Sequence, residues 1–306
     1  MNRDIIIFGK NSVLAQNFIA LIENTGDNKI LISRKSNIND HIVFDMSDLK
    51  NEFDLNLICS EIDENSKFKE KILILFSWSG GPRTFNKDLD NWILNKNIIL
   101  NFLNISKILN PKRIIFISSA GSIYPSNMNI KYCESDKTSP SNNHGKQKLY
   151  AESMIKNFVE GEKIEYTILR IASAYGYDRR FSDQGVINKW LYSAIKGEIL
   201  KLYNSKASLI NFIAFDQISN AIKVSIEKEI NGTFNIGAEN SITLQAILKE
   251  IQRLINKKIN IKIEGNKIRY FNIDVNKFFL KTGIKYENRI RENIKCIYNS
   301  IISNDI

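Results

Sequence analysis

Ser118-Ser119-Ala120-Gly121-Ser122-Ile123-Tyr124, followed after a polar loop by Ser139-Pro140-Ser141-Asn142-Asn143-His144-Gly145-Lys146-Gln147-Lys148-Leu149-Tyr150-Ala151-Glu152, is the stretch on which the reading of the chain turns. Its first part continues an apolar run, Ile114 to Ile117, that reads as a buried strand. Its second part opens a helix, with Pro140 near the start and Ala151, Met154 and Ile155 continuing the apolar face. A hydroxyl-rich strand end therefore lies upstream of a helix whose first turns carry His144 and Lys148. With a spacing of i, i+4 these two side chains share one helix face.

Outward from this stretch, short apolar runs alternate with helical segments. Ile5 to Gly9, Lys29 to Ser33, Ile42 to Phe44, Lys71 to Phe76 and Glu165 to Arg170 read as strands. Between them, helices are read from about Ser12 to Glu23 and from Asp88 to Leu109, the latter with Trp92, Leu94, Ile98, Ile99, Phe102, Leu103 and Ile105 on its apolar face. The charge-rich segment from Asn51 to Lys71 is helical at best. Gln184 to Lys196 and Ser241 to Ile255 read as further helices, and Asp216 as the cap of another through Glu227.

The two halves of the opening stretch resemble the extended short-chain dehydrogenase/reductases, the family that acts on nucleotide sugars. There the strand end reads Ser-Ser-x-x-x-Val-Tyr-Gly and the helix Tyr-Gly-x-Ser-Lys-x-x-x-Glu. Lys148 is kept, His144 stands where the family's catalytic tyrosine stands, and Ala120 stands where many members carry Ser or Thr. Ser119 and Ser122 are the remaining candidate hydroxyls. Further matches are Leu169–Gly176 with Leu-Arg-x-x-Asn-x-Tyr-Gly-Pro, and Phe234–Gly237 with Tyr-Asn-Val-Gly. The segment from Ile273 to Gly283 is a partial match to Asp-x-Ser-Lys-x-x-x-x-Leu-Gly. The resemblance covers nearly the whole chain. It implies an α/β fold: a Rossmann-type doubly wound parallel sheet over 1–172, with 208–238 packing back onto it, and a smaller C-terminal α/β substrate-binding lobe over 173–306.

The same resemblance locates a dinucleotide. A strand, a tight turn and a helix start make an anion site, because free backbone N–H groups and the helix dipole point at a phosphate. The family's Gly-x-x-Gly-x-x-Gly appears here as Gly9, Ser12 and Ala15, with Asn11, Val13 and Leu14 in the same turn. Ser12 is the larger departure, since its β-carbon crowds a pyrophosphate. After the second strand come Ser33, Arg34 and Lys35, with no acid to accept a ribose 2′-hydroxyl. That triplet suits a 2′-phosphate, which favours NADP(H) over NAD(H); the competing reading is a pair of solvated loop charges. Asp45 and Met46 fall beside the adenine, and Asp45 reads equally as a helix cap. Phe76, Ser77 and Trp78 fall beside the cofactor ribose, where the family has small residues. Asn95, read either as a helix-kinking asparagine or as a solvated one, Lys148 and Ile171 complete the cofactor side. On the substrate side stand Ser79, Tyr124, Arg179, Arg180 and Ser173, the last replacing a sugar-contacting asparagine. Ile210 replaces an arginine that usually holds the nucleotide diphosphate.

In the family a tyrosinate takes the proton of a sugar hydroxyl while hydride leaves for the nicotinamide, and the lysine holds the ribose. An imidazole, with a reference pKa of about 6.5, starts from the unprotonated form at neutral pH. Nearby Lys148 pushes it lower, so it can act as a base without prior activation. The resemblance thus implies a nucleotide-sugar epimerase, dehydratase or ketoreductase. The alternative is a catalytically silent relative that binds a dinucleotide and serves as a regulatory or partner subunit.

Composition bounds the remaining classes. The 306 residues are 43% hydrophobic and 25% charged, as in ordinary soluble proteins. The sequence shows no apolar run near the roughly 20 residues that span a bilayer, and its opening residues read as a strand rather than a signal peptide. Three scattered cysteines suggest a reducing, cytoplasmic setting, and two histidines make a His-based metal site improbable. The net charge of +10 is compatible with nucleic-acid binding, but the lysines form no block. A Lys/Asn/Ile-rich bias explains it, and a positive cleft also suits a diphosphate. No nucleic-acid or membrane partner is expected. A homodimer is implied by the resemblance only.

Overall fold

Ile5 and Ile7 pack into one apolar cluster, Ile6 and Phe8 into another. Alternate side chains of a strand point to opposite faces, so the segment must lie in a sheet covered on both sides. That arrangement is the one in which parallel strands read as unbroken apolar runs. The computed structural model describes residues 2–34, 42–81, 88–176, 185–256 and 258–304.

In chain order the first half comprises β1 (Asp4–Phe8), α1 (Val13–Leu21), β2 (Asn28–Ser33), β3 (Ile42–Val43), α2 (Glu52–Glu64), β4 (Lys71–Leu75), α3 (Asp88–Leu109), β5 (Arg113–Ser119), α4 (Ala120–Ile123), α5 (Asn143–Glu160) and β6 (Glu165–Ile171). The second half comprises β7 (Ser173–Tyr175), α6 (Val186–Ile195), β8 (Leu200–Leu202), β9 (Leu209–Ile210), β10 (Phe212–Ala214), α7 (Phe215–Glu227), β11 (Gly232–Ile236), β12 (Ile242–Thr243), α8 (Leu244–Ile255), β13 (Ile261–Ile263), β14 (Tyr270–Phe271), α9 (Asn276–Thr282) and α10 (Ile290–Asn304).

Seven strands form one sheet in the order β3-β2-β1-β4-β5-β6-β11, and every pairing in it is parallel. The fold is therefore a Rossmann-type doubly wound α/β structure. Its seventh strand comes from far along the chain, Phe234 standing opposite Leu169. Val13, Ala15 and Phe18 of α1 and Ile218, Ala221 and Ile222 of α7 cover the face of Ile5 and Ile7. Leu55, Ile58 and Ile62 of α2, Phe102 of α3 and Ile155 of α5 cover the face of Ile6 and Phe8. The chain thus changes face between β1 and β4. At such a switch point the flanking loops diverge and leave a crevice at the carboxyl edge of the strands.

Among the described residues three small sheets lie outside the main one: β7 with β10, β9 between β12 and β14, and β8 with β13. Here α6, α8 and α10 pack on one another.

Several local expectations need correction. Pro140 lies outside α5, which starts at Asn143 behind an Asn142 cap that accepts from the Gly145 N–H at 2.8 Å. Asp45 does not cap α2: Asn51 does, and Asp45 accepts instead from the backbone and hydroxyl of Ser47 at 2.9 and 2.6 Å. Asp216 sits inside the first turn of α7 rather than before it; the Ala214 N–H is met by Gln217 at 3.1 Å. The segment after Asn51 is a full helix of 13 residues.

Candidate active site

Strand β5 delivers Ser119 to the carboxyl edge, opposite Ile171 of β6. The chain then makes the single turn α4 and returns as α5. A β-carbon on Gly145 would fall 2.1 Å from the Ser122 carbonyl oxygen, so the first turn of α5 lies directly on the backbone of α4. This contact fixes the first turns of α5, which carry His144 and Lys148. Ser119 and Ser122 stand with their hydroxyl oxygens 3.3 Å apart, Ser122 buried and Ser119 half-buried.

His144 is half-buried, and its Nδ1 is shielded from solvent without a hydrogen-bond partner in the protein. Burial, and after it the Lys148 charge, push its pKa down to about 3. The imidazole is therefore neutral across the physiological range.

Lys148 is 7% exposed. Its Nζ donates to the Ile117 carbonyl at 2.8 Å and lies 3.8 Å from the Trp78 ring centre and 4.7 Å from that of Phe116. Burial pushes its pKa down to about 7, with Glu152 opposing the shift. The family resemblance gives this lysine to a ribose. In the structure the protein's own rings and carbonyl enclose its ammonium.

Around the β1–α1 turn, Gly9 has a φ of 90°, and a β-carbon there would meet the Ser77 nitrogen at 2.6 Å. Only glycine allows that approach. It draws the loop after β4 against the phosphate-type turn, with Ser77 N–H bonded to the Phe8 carbonyl at 3.0 Å. Ser12 is the cap of α1, its hydroxyl accepting from the Ala15 N–H at 3.1 Å. One amide of the helix start is thus occupied by the protein itself. Asn11 and Leu14 are half-buried beside it and Val13 is buried.

Ser33 closes β2 and is buried, while Arg34 is exposed. Lys35 lies outside the described residues, as do Arg179 and Arg180. Met46 and Phe76 are buried in the core, as is Ile171 at the end of β6. This glycine turn, crowded against the β4 loop at the switch point, fits a dinucleotide; Ser12 narrows its fit at the pyrophosphate.

Asn95 is buried rather than solvated. It accepts from the Ser79 N–H at 2.8 Å, and donates to the Ser79 carbonyl at 2.9 Å and to Gln147 of α5 at 3.0 Å. Ser79 is thereby clamped to the α3–α5 pair, and the loop carrying Trp78 is held in register.

Tyr124 does not join the site. It is 3% exposed, accepts from Arg170 at 2.7 Å, and its hydroxyl lies 3.0 Å from Asn235 Oδ1. Ser173 is half-buried near Gly121. Ile210 is buried and aimed at packing. One residue that the sequence reading missed is Arg269, whose guanidinium donates to the Gly121 carbonyl. Its own carbonyl accepts from the Leu209 N–H at 2.9 Å. The pairing of β14 with β9 brings this cation beside Ser208–Ile210, and no local pattern announces a contact so distant in sequence.

The model of the NAD dependent epimerase/dehydratase family matches residues 5–237. The chain is 23% identical over 298 residues to a Methanocaldococcus jannaschii protein assigned provisionally as a UDP-glucose 4-epimerase, covering 93% of each. It is 26% identical over 197 residues to the dTDP-4-dehydro-6-deoxyglucose reductase of Escherichia coli, which is 63% of this chain and 62% of that one. Among solved structures, it is similar to the UDP-glucose 4-epimerase of Thermotoga maritima with UDP-glucose. The TM-score is 0.85 at 18% identity, with 99% of this chain and 100% of that one covered.

Proposed function

The chain belongs to the NAD dependent epimerase/dehydratase family, and from that membership we propose that it is a nucleotide-sugar epimerase, dehydratase or ketoreductase. The observation that carries the proposal is the pairing of His144 with Lys148 on one face of α5, whose first turn lies against the Ser122 backbone. Relatives in two subgroups are named for UDP- and dTDP-sugars, which supports a nucleotide sugar as substrate. In this reading the Rossmann part and the C-terminal lobe bound the substrate cleft. Ser79 and Ser173 are proposed for the sugar end of the substrate, and Arg179 and Arg180, outside the described residues, for its phosphates.

When bound, the nicotinamide dinucleotide supplies a hydride acceptor. The Gly9 turn and the start of α1 hold its phosphates, and Arg34 with Lys35 favours NADP(H). Asp45 is proposed for the adenine end. His144 accepts the proton of a sugar hydroxyl at a ring nitrogen and returns it for the reverse step. Ser119 or Ser122 orients that hydroxyl. The base needs no prior ionisation, and the cost is a weak one: burial that keeps the imidazole neutral also lowers its proton affinity. Lys148 tempers this. As it loses its proton near pH 7, the repulsion that weakens His144 is relieved. Arg269 is proposed to supply the diphosphate contact that Ile210 cannot. A cytoplasmic homodimer, on the strength of the family resemblance, completes the reading.

The test is turnover of a panel of UDP- and dTDP-sugars by purified protein with NADP⁺ or NAD⁺, followed by reduced nicotinamide and by sugar analysis. Conversion that His144→Ala abolishes is the expected result. Dinucleotide binding with no conversion of any sugar would overturn it in favour of the silent partner subunit.

A further inference from the structure

The family resemblance puts a small residue where Trp78 stands, and it gives the neighbouring lysine to a ribose. Here Nζ of Lys148 lies 3.8 Å from the Trp78 ring centre. Trp78 in turn packs on Phe116 with ring centres 5.7 Å apart. Nζ donates to the Ile117 carbonyl at 2.8 Å and lies 4.7 Å from the Phe116 ring centre. The Asn95 clamp on both backbone groups of Ser79 fixes the residue next to the indole.

We infer that Trp78 is a positioning residue for the proposed chemistry: its indole face fixes Nζ of Lys148 in place one helical turn from His144 and favours the ammonium over the neutral amine. The inference rests on the enzymatic reading for its purpose but not for its geometry. A cation over an aromatic face is stabilised by the ring quadrupole, more strongly when water is excluded. The lysine that the family resemblance gives to a ribose is thus held by an indole of its own chain.

The charged group that acts on the lysine is Glu152 of α5, and the lysine in turn acts on His144. Glu152 is neutralised by Arg170 of β6, which also holds the Tyr124 phenol. From β5 and the β4 loop come Phe116, the Ile117 carbonyl and Trp78, none of which titrates in this range. From α3 comes Asn95, through Gln147.

The experiment follows the ¹³Cε resonance of Lys148, assigned by its loss in Lys148→Met, across a pH titration of wild type, Trp78→Phe and Trp78→Leu. Phenylalanine keeps a ring face and leucine keeps only the apolar bulk. The midpoint of Trp78→Phe is expected close to wild type. That of Trp78→Leu is expected lower by about half a unit to one and a half units. A purely structural role would leave the phenylalanine and leucine variants alike, and equal midpoints overturn the inference even in an active enzyme. The predicted order supports it whether or not the protein turns over a sugar nucleotide. If Trp78→Leu does not fold, the fluorescence of Trp78, isolated by Trp92→Phe and Trp190→Phe, decides. A step near pH 7 that Lys148→Met abolishes supports the stack, and a step that persists overturns it.

Discussion

Glu152 Oε2 accepts from Arg170 Nη2 at 2.7 Å, with 2% and 5% of the two side chains exposed. The pair joins α5 to β6 beneath the site. Ser118 donates to the other carboxylate oxygen at 2.6 Å, and Arg170 passes on to Tyr124. Removing one partner of a buried pair leaves a charge with no compensation, at a cost of about 3–5 kcal/mol. Glu152→Gln is therefore expected to lose about that much in urea denaturation. Adding Arg170→Met should recover part of the loss. If Glu152→Gln melts like wild type, the pair does not anchor α5.

Gly145→Ala is a more local test. The added methyl would enter the Ser122 carbonyl at 2.1 Å, so α4 and α5 must separate. Displacing His144 by about 1 Å from its productive place costs on the order of 100-fold in rate. The expected result is a fall in kcat of that order with dinucleotide affinity nearly unchanged, read by steady-state kinetics and a binding titration. A variant with wild-type kcat would show that the close contact does not position the histidine.

The contrast between these contacts and the sequence reading has a physical basis. Strands such as Ile5–Phe8 and Lys71–Leu75 were legible because burial on both faces demands uninterrupted apolar residues. The Gly9 turn was legible because positive φ and a neighbour at 2.6 Å leave only glycine. Tyr124 misled because the same motif position serves a buried hydroxyl network as easily as a cleft. Its partners Arg170 and Asn235 come from two other strands. Arg269 stayed hidden because its role depends on the register of two-residue strands. Trp78 was visible as a departure, but only the fold shows that it covers Lys148.

Arg34 tests the cofactor proposal. It is exposed at the end of β2, and the chain offers no acid there. Arg34→Asp should weaken NADP(H) binding by about tenfold or more, the scale of losing a charge-assisted contact to phosphate, and should leave NAD(H) binding level or improved. Isothermal titration with both dinucleotides reads the ratio. An unchanged ratio would remove Arg34 from the 2′-phosphate site.

Arg269 tests the substrate side. Its guanidinium is held on the Gly121 carbonyl, next to the strand on which Ile210 lacks a charge. Arg269→Met should raise the KM for a nucleotide sugar by about tenfold to 100-fold, as for a lost charged hydrogen bond, while kcat changes little. A loss confined to kcat would place Arg269 with the reacting atoms instead.

The pH dependence contributed by His144 takes its sign from burial. The folded protein holds the imidazole near a pKa of about 3, against 6.5 for the free side chain. Below pH 6.5 the unfolded chain takes up a proton that the folded chain refuses, so stability is full above that value and falls as pH drops toward 3. His144→Gln should flatten this part of the pH–stability curve. The same shift means that no limb of the pH–rate profile between 5 and 8 belongs to the imidazole. The limb expected near pH 7 belongs to Lys148, with rate rising as its charge is lost and His144 becomes the stronger base. His144→Gln should lower kcat by about 100-fold to 10,000-fold, the range for a general base, with dinucleotide binding retained. In Lys148→Met the limb near pH 7 should vanish. A limb that survives there would assign the titration to another group and with it the coupling between the two residues.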